Sequence, residues 1–379
     1  MAARATSNTM PVSGGDRCAA IEARATDNGR ESIDCRADAD PRNEPASPDF
    51  VTAMTEAVRT HERSTLLDGG VSSDIRLVEY QGRSYCVKQA LGKLKVAADW
   101  RAPVERNHSE AEWLRVVAGI VPEAVPRVIY EDRSAGWFAM EYLSPERHPV
   151  WKMQLRDGII GPGFAAAVGD RLARIHSRTA CDDEIASAFA NDHIFYPIRP
   201  EPYLIATARA HPDLATQLQA LSGTTMRTRR ALVHGDVSPK NILCGPDGPI
   251  FLDAECAWYG DPAFDVAFVL NHMLLKCVWR PHWRDRYLAC FDALASAYLA
   301  LVDWEDARDL EQRAAHLLPG LLLGRVDGKS PAEYVTIDAD KALIRRFARD
   351  HLRNPRDGLD AIRSSWSRVL DASMRTLTG

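Results

Sequence analysis

Apolar positions first repeat with a helical spacing just past residue 47. Between Pro48 and Arg63, Phe50, Met54 and Val58 fall at i, i+4 and i+8, which predicts a capped amphipathic helix. The period then shortens to two. LLDGGVSSDIRLVEYQGRSYCVKQA predicts two alternating strands joined at Gln81-Gly82, with the turn Gly69 to Asp74 ahead of the first. Helical spacing returns in NHSEAEWLRVVAGI, where Trp113, Val116 and Val117 face inward. VPRVIYED and GWFAMEYL then read as strands flanking a turn at Ser134-Ala135-Gly136. Ser144-Pro145 follows directly, and strand pairing must stop there.

Past Pro145 the pattern is mostly helical. PGFAAAVGDRLARIHSRTA places Val168, Leu172 and Ile175 on one packing face. His176 on the same helix reads as a packed or hydrogen-bonded core residue rather than a catalyst. DPAFDVAFVLNHMLLKCVW is apolar nearly all round, the mark of a buried central helix, and further helices are expected from about 284 to 370. Residues 1–47 differ, with almost no large apolar side chains. Such a segment cannot offset its ordering entropy, so it is expected to be a disordered tail.

Candidate chemistry is concentrated in LVHGDVSPKNIL and, shortly after it, FLDAECAWYGDPAFDVA. Asp236, Asn241 and Asp253 supply oxygen side chains. The segment between Asn241 and Asp253 reads as strand, turn and strand (ILCG, PDG, PIFLD), a hairpin that returns Asp253 to Asn241. A hard cation such as Mg2+ takes one or two such protein ligands and completes its shell with phosphate and water. Asp236 remains to hold a substrate hydroxyl and accept its proton. Upstream, the Gly69-Gly70 turn would let backbone N–H groups approach phosphate, with the hydroxyls of Ser72 and Ser73 as further donors. Lys88 stands on the strand that follows.

With its Lys88 strand and its two motifs, His234-Gly235-Asp236 with Asn241, and Asp253 with Gly260-Asp261-Pro262 and Asp265, the chain resembles the aminoglycoside phosphotransferase and choline kinase family. That resemblance implies an α+β, protein-kinase-like two-lobed fold. Residues 48–143 would form a small antiparallel sheet lobe with one main helix, ending in a hinge. Residues 144–379 would form a larger, mostly helical lobe carrying a catalytic loop (234–241), a metal loop (253–265) and substrate-binding helices. It further implies that Lys88 contacts the α- and β-phosphates and pairs with a helix glutamate, Glu110 or its competitor Glu112. Met140 would lie behind the adenine, with the Glu141 carbonyl and the Leu143 N–H at its edge. Lys240 could neutralise the γ-phosphate, although its place just before Asn241 departs from the protein-kinase arrangement. His234 and Asp265 would support the loop. The implied cofactors are ATP or GTP, and Mg2+ on Asn241 and Asp253.

Composition narrows the partners. A formal charge of -5 with no basic stripe gives nucleic-acid binding no support. No run of about 18 apolar residues suggests a membrane span, and no signal-peptide core is evident. The eight cysteines form no CxxC or zinc spacing, so a reduced, cytoplasmic setting is expected. Only eight positions separate Asp253 from Asp261, too few for the segment on which protein kinases dock peptides; a small-molecule hydroxyl is the expected acceptor. Arg199, Tyr203, Glu255, Trp258, Tyr259 and His272 are candidates to line its site. From residue 266 onward, 17 Lys and Arg stand against 15 Asp and Glu, which disfavours a polycationic antibiotic. The alternative is a catalytically silent pseudokinase that binds nucleotide for regulation, against which every required polar position is filled. GRVDGKS at Gly324 to Ser330 resembles a P-loop, but Leu323 stands where its first glycine belongs. Asp182-Asp183-Glu184 reads as a helix start rather than a metal site.

Overall fold

Ser47 opens the first helix by accepting the Phe50 N–H on its hydroxyl at 3.2 Å, and Pro48 occupies the first turn, an ordinary N-cap arrangement. The helix, α1 (Pro48–Thr60), stops before Arg63 because His61 turns left-handed, with φ 63°. This computed structural model describes residues 46–67, 73–92 and 103–378; Ser72, the Gly69-Gly70 turn and nearly all of the expected tail lie outside them.

Five antiparallel strands follow in the order β1-β2-β3-β5-β4: β1 (Ser64–Leu66), β2 (Ser73–Tyr80), β3 (Arg83–Ala90), β4 (Val128–Asp132) and β5 (Trp137–Glu141). The short β1, paired to β2 through Thr65 and Leu77, has no counterpart in the sequence reading; three residues are too few to show a period. Because strand side chains alternate faces, the sheet has two apolar sides. Val78, Val87, Trp137 and Ala139 pack with Phe50 and Met54 of α1, each large side chain contributing about 1.5–3 kcal/mol by burial. Cys86, Phe138 and Met140 join the other side, against α2 (Arg106–Ala118), where Trp113, Val116 and Val117 are buried.

The larger lobe runs through α3 (Trp151–Arg156), α4 (Pro162–Thr179), α5 (Asp183–Ala188) and α6 (Asp192–Ile198). A π-turn at Glu201–Ile205 leads into α7 (Ala206–Ala210) and then α8 (Ala215–Arg227). Two small hairpin-like pairs carry the motifs: β6 (Ala231–Val233) with β9 (Trp258–Gly260), and β7 (Ile242–Gly245) with β8 (Gly248–Phe251). Next come α9 (Ala263–Trp279), α10 (Arg284–Leu299), α11 (Ala307–Asp327), α12 (Asp338–Arg353) and α13 (Leu359–Thr378). Every α9 residue from Ala263 to Val278 is buried, so this helix is the axis of the lobe. GRVDGKS spans the C-terminal end of α11, the wrong end of a helix for phosphate. There Gly324 abuts the π-turn: a Cβ would stand 2.3 Å from the Tyr203 carbonyl oxygen. Asp182 caps α5 by accepting the Ile185 N–H at 2.9 Å. No helix among the described residues is long and apolar enough to cross a membrane. Cys86, Cys244, Cys256, Cys277 and Cys290 are free thiols, whereas Cys181 is disulfide-bonded, a departure from the fully reduced set expected.

Candidate active site

β3 delivers Lys88 into the cleft between the lobes, where it is 2% exposed. Its Nζ lies 2.6 Å from Glu110 Oε2 on α2 and also donates to Asp253 Oδ1. Glu112 points elsewhere and pairs with Arg115 at 3.2 Å. Burial opposes the charge on Lys88, yet Asp253, Glu110 and Glu255 together hold its ammonium well above its ordinary value. Burial raises the Glu110 carboxyl to about 7 against the pull of Lys88, with the nearby Asp253 charge adding to the rise. At Asp253 burial is outweighed: Lys88, Lys240 and Arg199 hold that carboxyl below the usual range.

The β7–β8 hairpin brings Asp253 back beside Asn241, with the Leu252 N–H donating to the Asn241 carbonyl at 2.9 Å. Asp253 itself adopts φ 66°, a left-handed conformation that Asp tolerates better than most residues. Asn241 Nδ2 donates to the Asp236 carbonyl at 3.1 Å, so Oδ1 is the atom of that amide left to face a cation. Together the two residues present hard oxygen donors, suited to an ion that takes few protein ligands. No group of three or more His, Cys, Asp or Glu side chains that could hold a metal ion converges among the described residues.

Asp236, 5% exposed, is held on a single oxygen. Arg199 Nη2 lies 2.9 Å from Oδ2, and Lys240 Nζ lies 3.3 Å from the same atom. Arg199 also donates from Nε to the Gly235 carbonyl. The loop backbone is shaped from below. Asp265, at the start of α9, accepts the His234 and Gly235 N–H groups, both at 2.8 Å, and the His176 Nε2–H at 3.3 Å. His176 is completed by Tyr298, whose hydroxyl lies 2.8 Å from Nδ1. Burial lowers the His234 pKa, and its neutral ring accepts the Asp236 N–H at 3.1 Å while donating to the Leu252 carbonyl at 3.1 Å. Gly235 sits at φ 79°, and a Cβ there would meet Cys256 at 2.8 Å. Only glycine fits.

Other expected site residues fall in varied places. Ser73 is buried at the head of β2, Met140 is buried, Glu141 is exposed and Leu143 is half-buried beyond β5. Glu255 is engaged by Arg106, whose Nε lies 2.9 Å from Oε2. Tyr203 lies with its ring 6.0 Å from the Arg199 guanidinium, and His272 packs on Phe268 with ring centroids 5.7 Å apart. Trp258 and Tyr259 do not line an acceptor site. Trp258 is fully buried, stacked on Phe195 at 4.3 Å, with Nε1 donating to Asp192; Tyr259 donates to the Arg230 carbonyl from a buried position. Their aromatic character serves β6–β9 packing. Sequence reasoning missed the Arg199–Asp236 contact and the Arg106–Glu255 pair; neither has a local signal, since the partners stand 37 and 149 positions apart in the chain.

The family described as the phosphotransferase enzyme family (APH) matches residues 64–310, from β1 into α11. This chain belongs to that family. Among curated APH-related proteins, it is 25% identical over 224 residues to methylthioribose kinase 1 of Oryza sativa subsp. japonica, covering 51% of each chain. It is 28% identical over 241 residues to the methylthioribose kinase of Erwinia tasmaniensis, covering 55% of this chain and 59% of that one. The APH chain described here thus spans between half and three-fifths of the length of those relatives. Among solved structures, an amicoumacin kinase is similar at TM-score 0.47 and 13% identity, over 83% of this chain and 98% of that one. An ethanolamine kinase of Plasmodium vivax is similar at TM-score 0.47 and 9% identity, over 88% and 95%.

Proposed function

We propose that this member of the phosphotransferase family moves the γ-phosphate of Mg·ATP onto a hydroxyl of a small molecule, with Asp236 as the base. The observation that carries the reading is the convergence of Lys88, Glu110, Asn241 and Asp253 beside a carboxylate held on one oxygen only. Lys88, fixed between two carboxylates, orients the α- and β-phosphates. Asn241 and Asp253 hold the metal, which when bound neutralises charge on the phosphates. Ser73, Met140, the Glu141 carbonyl and the Leu143 N–H border the nucleotide from the sheet lobe and hinge.

Arg199 and Lys240 occupy Asp236 Oδ2, leaving Oδ1 to accept the acceptor hydroxyl. Two cations on one oxygen fix the Asp236 carboxylate in an orientation suited to aligning the hydroxyl and taking its proton late. Phosphoryl transfer rests mainly on such positioning and electrostatics. Lys240, half-exposed at the loop edge, also stands where it can meet the transferring phosphate. The methylthioribose kinase relatives support a small hydroxylated acceptor.

The test combines mass detection of phosphorylated product with Mg·ATP binding, in wild type and Asp236→Asn. Product from wild type alone, at equal nucleotide affinity, supports the reading. Comparable turnover by Asp236→Asn overturns the assignment of the base. Tight Mg·ATP binding without product from any hydroxyl compound favours a regulatory nucleotide-binding protein instead.

A further inference from the structure

Beyond Asp236 and the Arg199 that holds it, the helical lobe carries further positive charge that the phosphotransfer chemistry does not use. From the catalytic loop, Arg199 spans from Asp236 to the faces of Tyr203 and Phe268, 6.0 and 5.7 Å from their centroids. On the same Tyr203 ring, 5.9 Å away, lies the Arg325 guanidinium of α11. Arg325 is 8% exposed and donates only to neutral oxygens: the Ser330 carbonyl at 2.6 Å, the Ser330 hydroxyl at 3.1 Å and the Tyr203 hydroxyl at 3.4 Å. From α9 comes Lys276, 1% exposed, with its ammonium 5.0 Å from the centroids of both Trp279 and Tyr334. Tyr334 in turn reaches His272 Nδ1 at 3.5 Å.

Among the described residues neither Arg325 nor Lys276 forms an ion pair. The nearby carboxylates are committed elsewhere: Asp236 to Arg199 and Lys240, Glu333 to Lys152, and Glu201 to Lys329 and Arg209. Burying a cation without a counter-charge is costly, so the Lys276 ammonium gives up its proton readily and keeps it once an anion pairs with it. Burial, Arg325 and Lys276 all drive His272 well below its ordinary pKa, to the neutral form, as a local excess of positive potential requires. The patch adjoins the reacting loop. Against burial, Tyr203, Tyr334, Glu333 and, least of them, Asp236 hold Arg325 charged, and α3, which carries Lys152, packs against the Pro239–Asn241 turn.

We propose that the acceptor carries an anionic group, a carboxylate or a phosphate, that pairs with Arg325 and Lys276 while its hydroxyl meets Asp236. Resting on the phosphotransferase reading, this places the substrate among hydroxy acids and phosphorylated polyols. It sets the substrate apart from amino alcohols and aminoglycosides, whose ammonium groups this potential repels. A guanidinium with a free edge matches the planar fork of either oxyanion.

The test uses the full chain with Mg·ATP and three acceptor pools: hydroxy acids with sugar phosphates, neutral sugars with nucleosides, and amino alcohols with aminoglycosides. Transfer is expected to favour the anionic pool, with Lys276→Gln and Arg325→Gln each raising the acceptor KM at least tenfold. The Kd for Mg·ATP serves as the folding control. Preferred transfer to the neutral or cationic pool overturns the inference and leaves phosphotransfer standing. Should no pool accept phosphate, binding decides, because Trp279 beside Lys276 reports occupancy. Saturable fluorescence change with the anionic pool, lost in Lys276→Gln, supports the anion site even if the phosphotransfer reading has failed. Its absence overturns it.

Discussion

Arg106 Nε donates to Glu255 Oε2 at 2.9 Å, and this one contact ties the first turn of α2 in the sheet lobe to the Asp253 loop of the helical lobe. Arg106 is fully buried and also donates to the carbonyls of Pro103 and Leu91, at 2.7 and 2.6 Å. α2 also carries Glu110, the partner of Lys88. The pair therefore sets the separation of the lobes at the point where nucleotide would bind.

Glu255→Gln should destabilise the protein by about 1.5–3 kcal/mol, the worth of a hydrogen bond to a charged group. Adding Arg106→Met should restore part of that loss. Urea unfolding of the two single variants and the double variant gives the coupling energy. A coupling below about 0.5 kcal/mol, the limit for independent sites, would mean that Glu255 is not a latch and is free for a ligand.

Arg199 occupies one oxygen of Asp236 and the carbonyl of Gly235, which makes it a positioning residue. Arg199→Met is expected to lower kcat by roughly 10- to 100-fold, part of the range general-base assistance supplies, with the Kd for Mg·ATP unchanged. Arg199→Lys should recover some of that loss by restoring the charge without the fork. Equal loss of nucleotide affinity in both variants would point to collapse of the loop instead.

Lys276 offers a stability signature opposite to that of an ordinary core residue. Burial, with Lys152 nearby, lowers its ammonium to about 7. The unfolded chain, with an ordinary lysine value near 10.4, therefore binds a proton in the window from about 7 to 10.4 that the native protein does not. Stability from this group grows as pH rises through that window and is lost as pH falls toward 7. Lys276→Met should be more stable than wild type at pH 7, by about 1–4 kcal/mol as for other buried charges replaced by apolar groups. The advantage should shrink toward pH 10. Thermal melts of both proteins from pH 7 to 10 measure it, and a variant less stable at pH 7 contradicts the assignment of Lys276 as an unpaired charge.

Asp265 accepts two backbone N–H groups and a histidine N–H from a fully buried position. Asp265→Asn sets an amide NH2 against those donors and should cost roughly 2–4 kcal/mol, given about 1.5–3 for each hydrogen bond to a charged group. Because His234 and Gly235 lead directly into Asp236, kcat should fall further than the loss of folded protein explains. Urea midpoints and single-turnover rates separate the two effects.

Several of these features could be read in the chain itself. Alternation and helical spacing mark β2, β3, α2, α4 and α9, because each buries apolar side chains at a regular spacing. The motif spacing around Asp236, Asn241 and Asp253 survives because a tight hairpin connects them. Lys88 and Glu110 could be paired only through family resemblance, with Glu112 undecided until α2 fixed the register. Ionic contacts across long separations are different. Any of many arginines could have met Asp236 or Glu255, and nothing near Arg199 or Arg106 distinguishes them. Trp258 and Tyr259 misled for a related reason, since an aromatic beside a motif looks alike whether it faces a ligand or a neighbouring strand.

Gly324 lies one position before Arg325, with room for only a hydrogen between α11 and the Tyr203 carbonyl. Anything larger would lift the helix from the π-turn and draw the guanidinium off the Tyr203 ring. On the anion-site proposal, the preference for one acceptor over another would be governed partly by a position that touches no acceptor. A search for altered specificity restricted to side chains around Asp236 would overlook it, and homologues with a bulkier residue at this crossing should seat their acceptors by some other means.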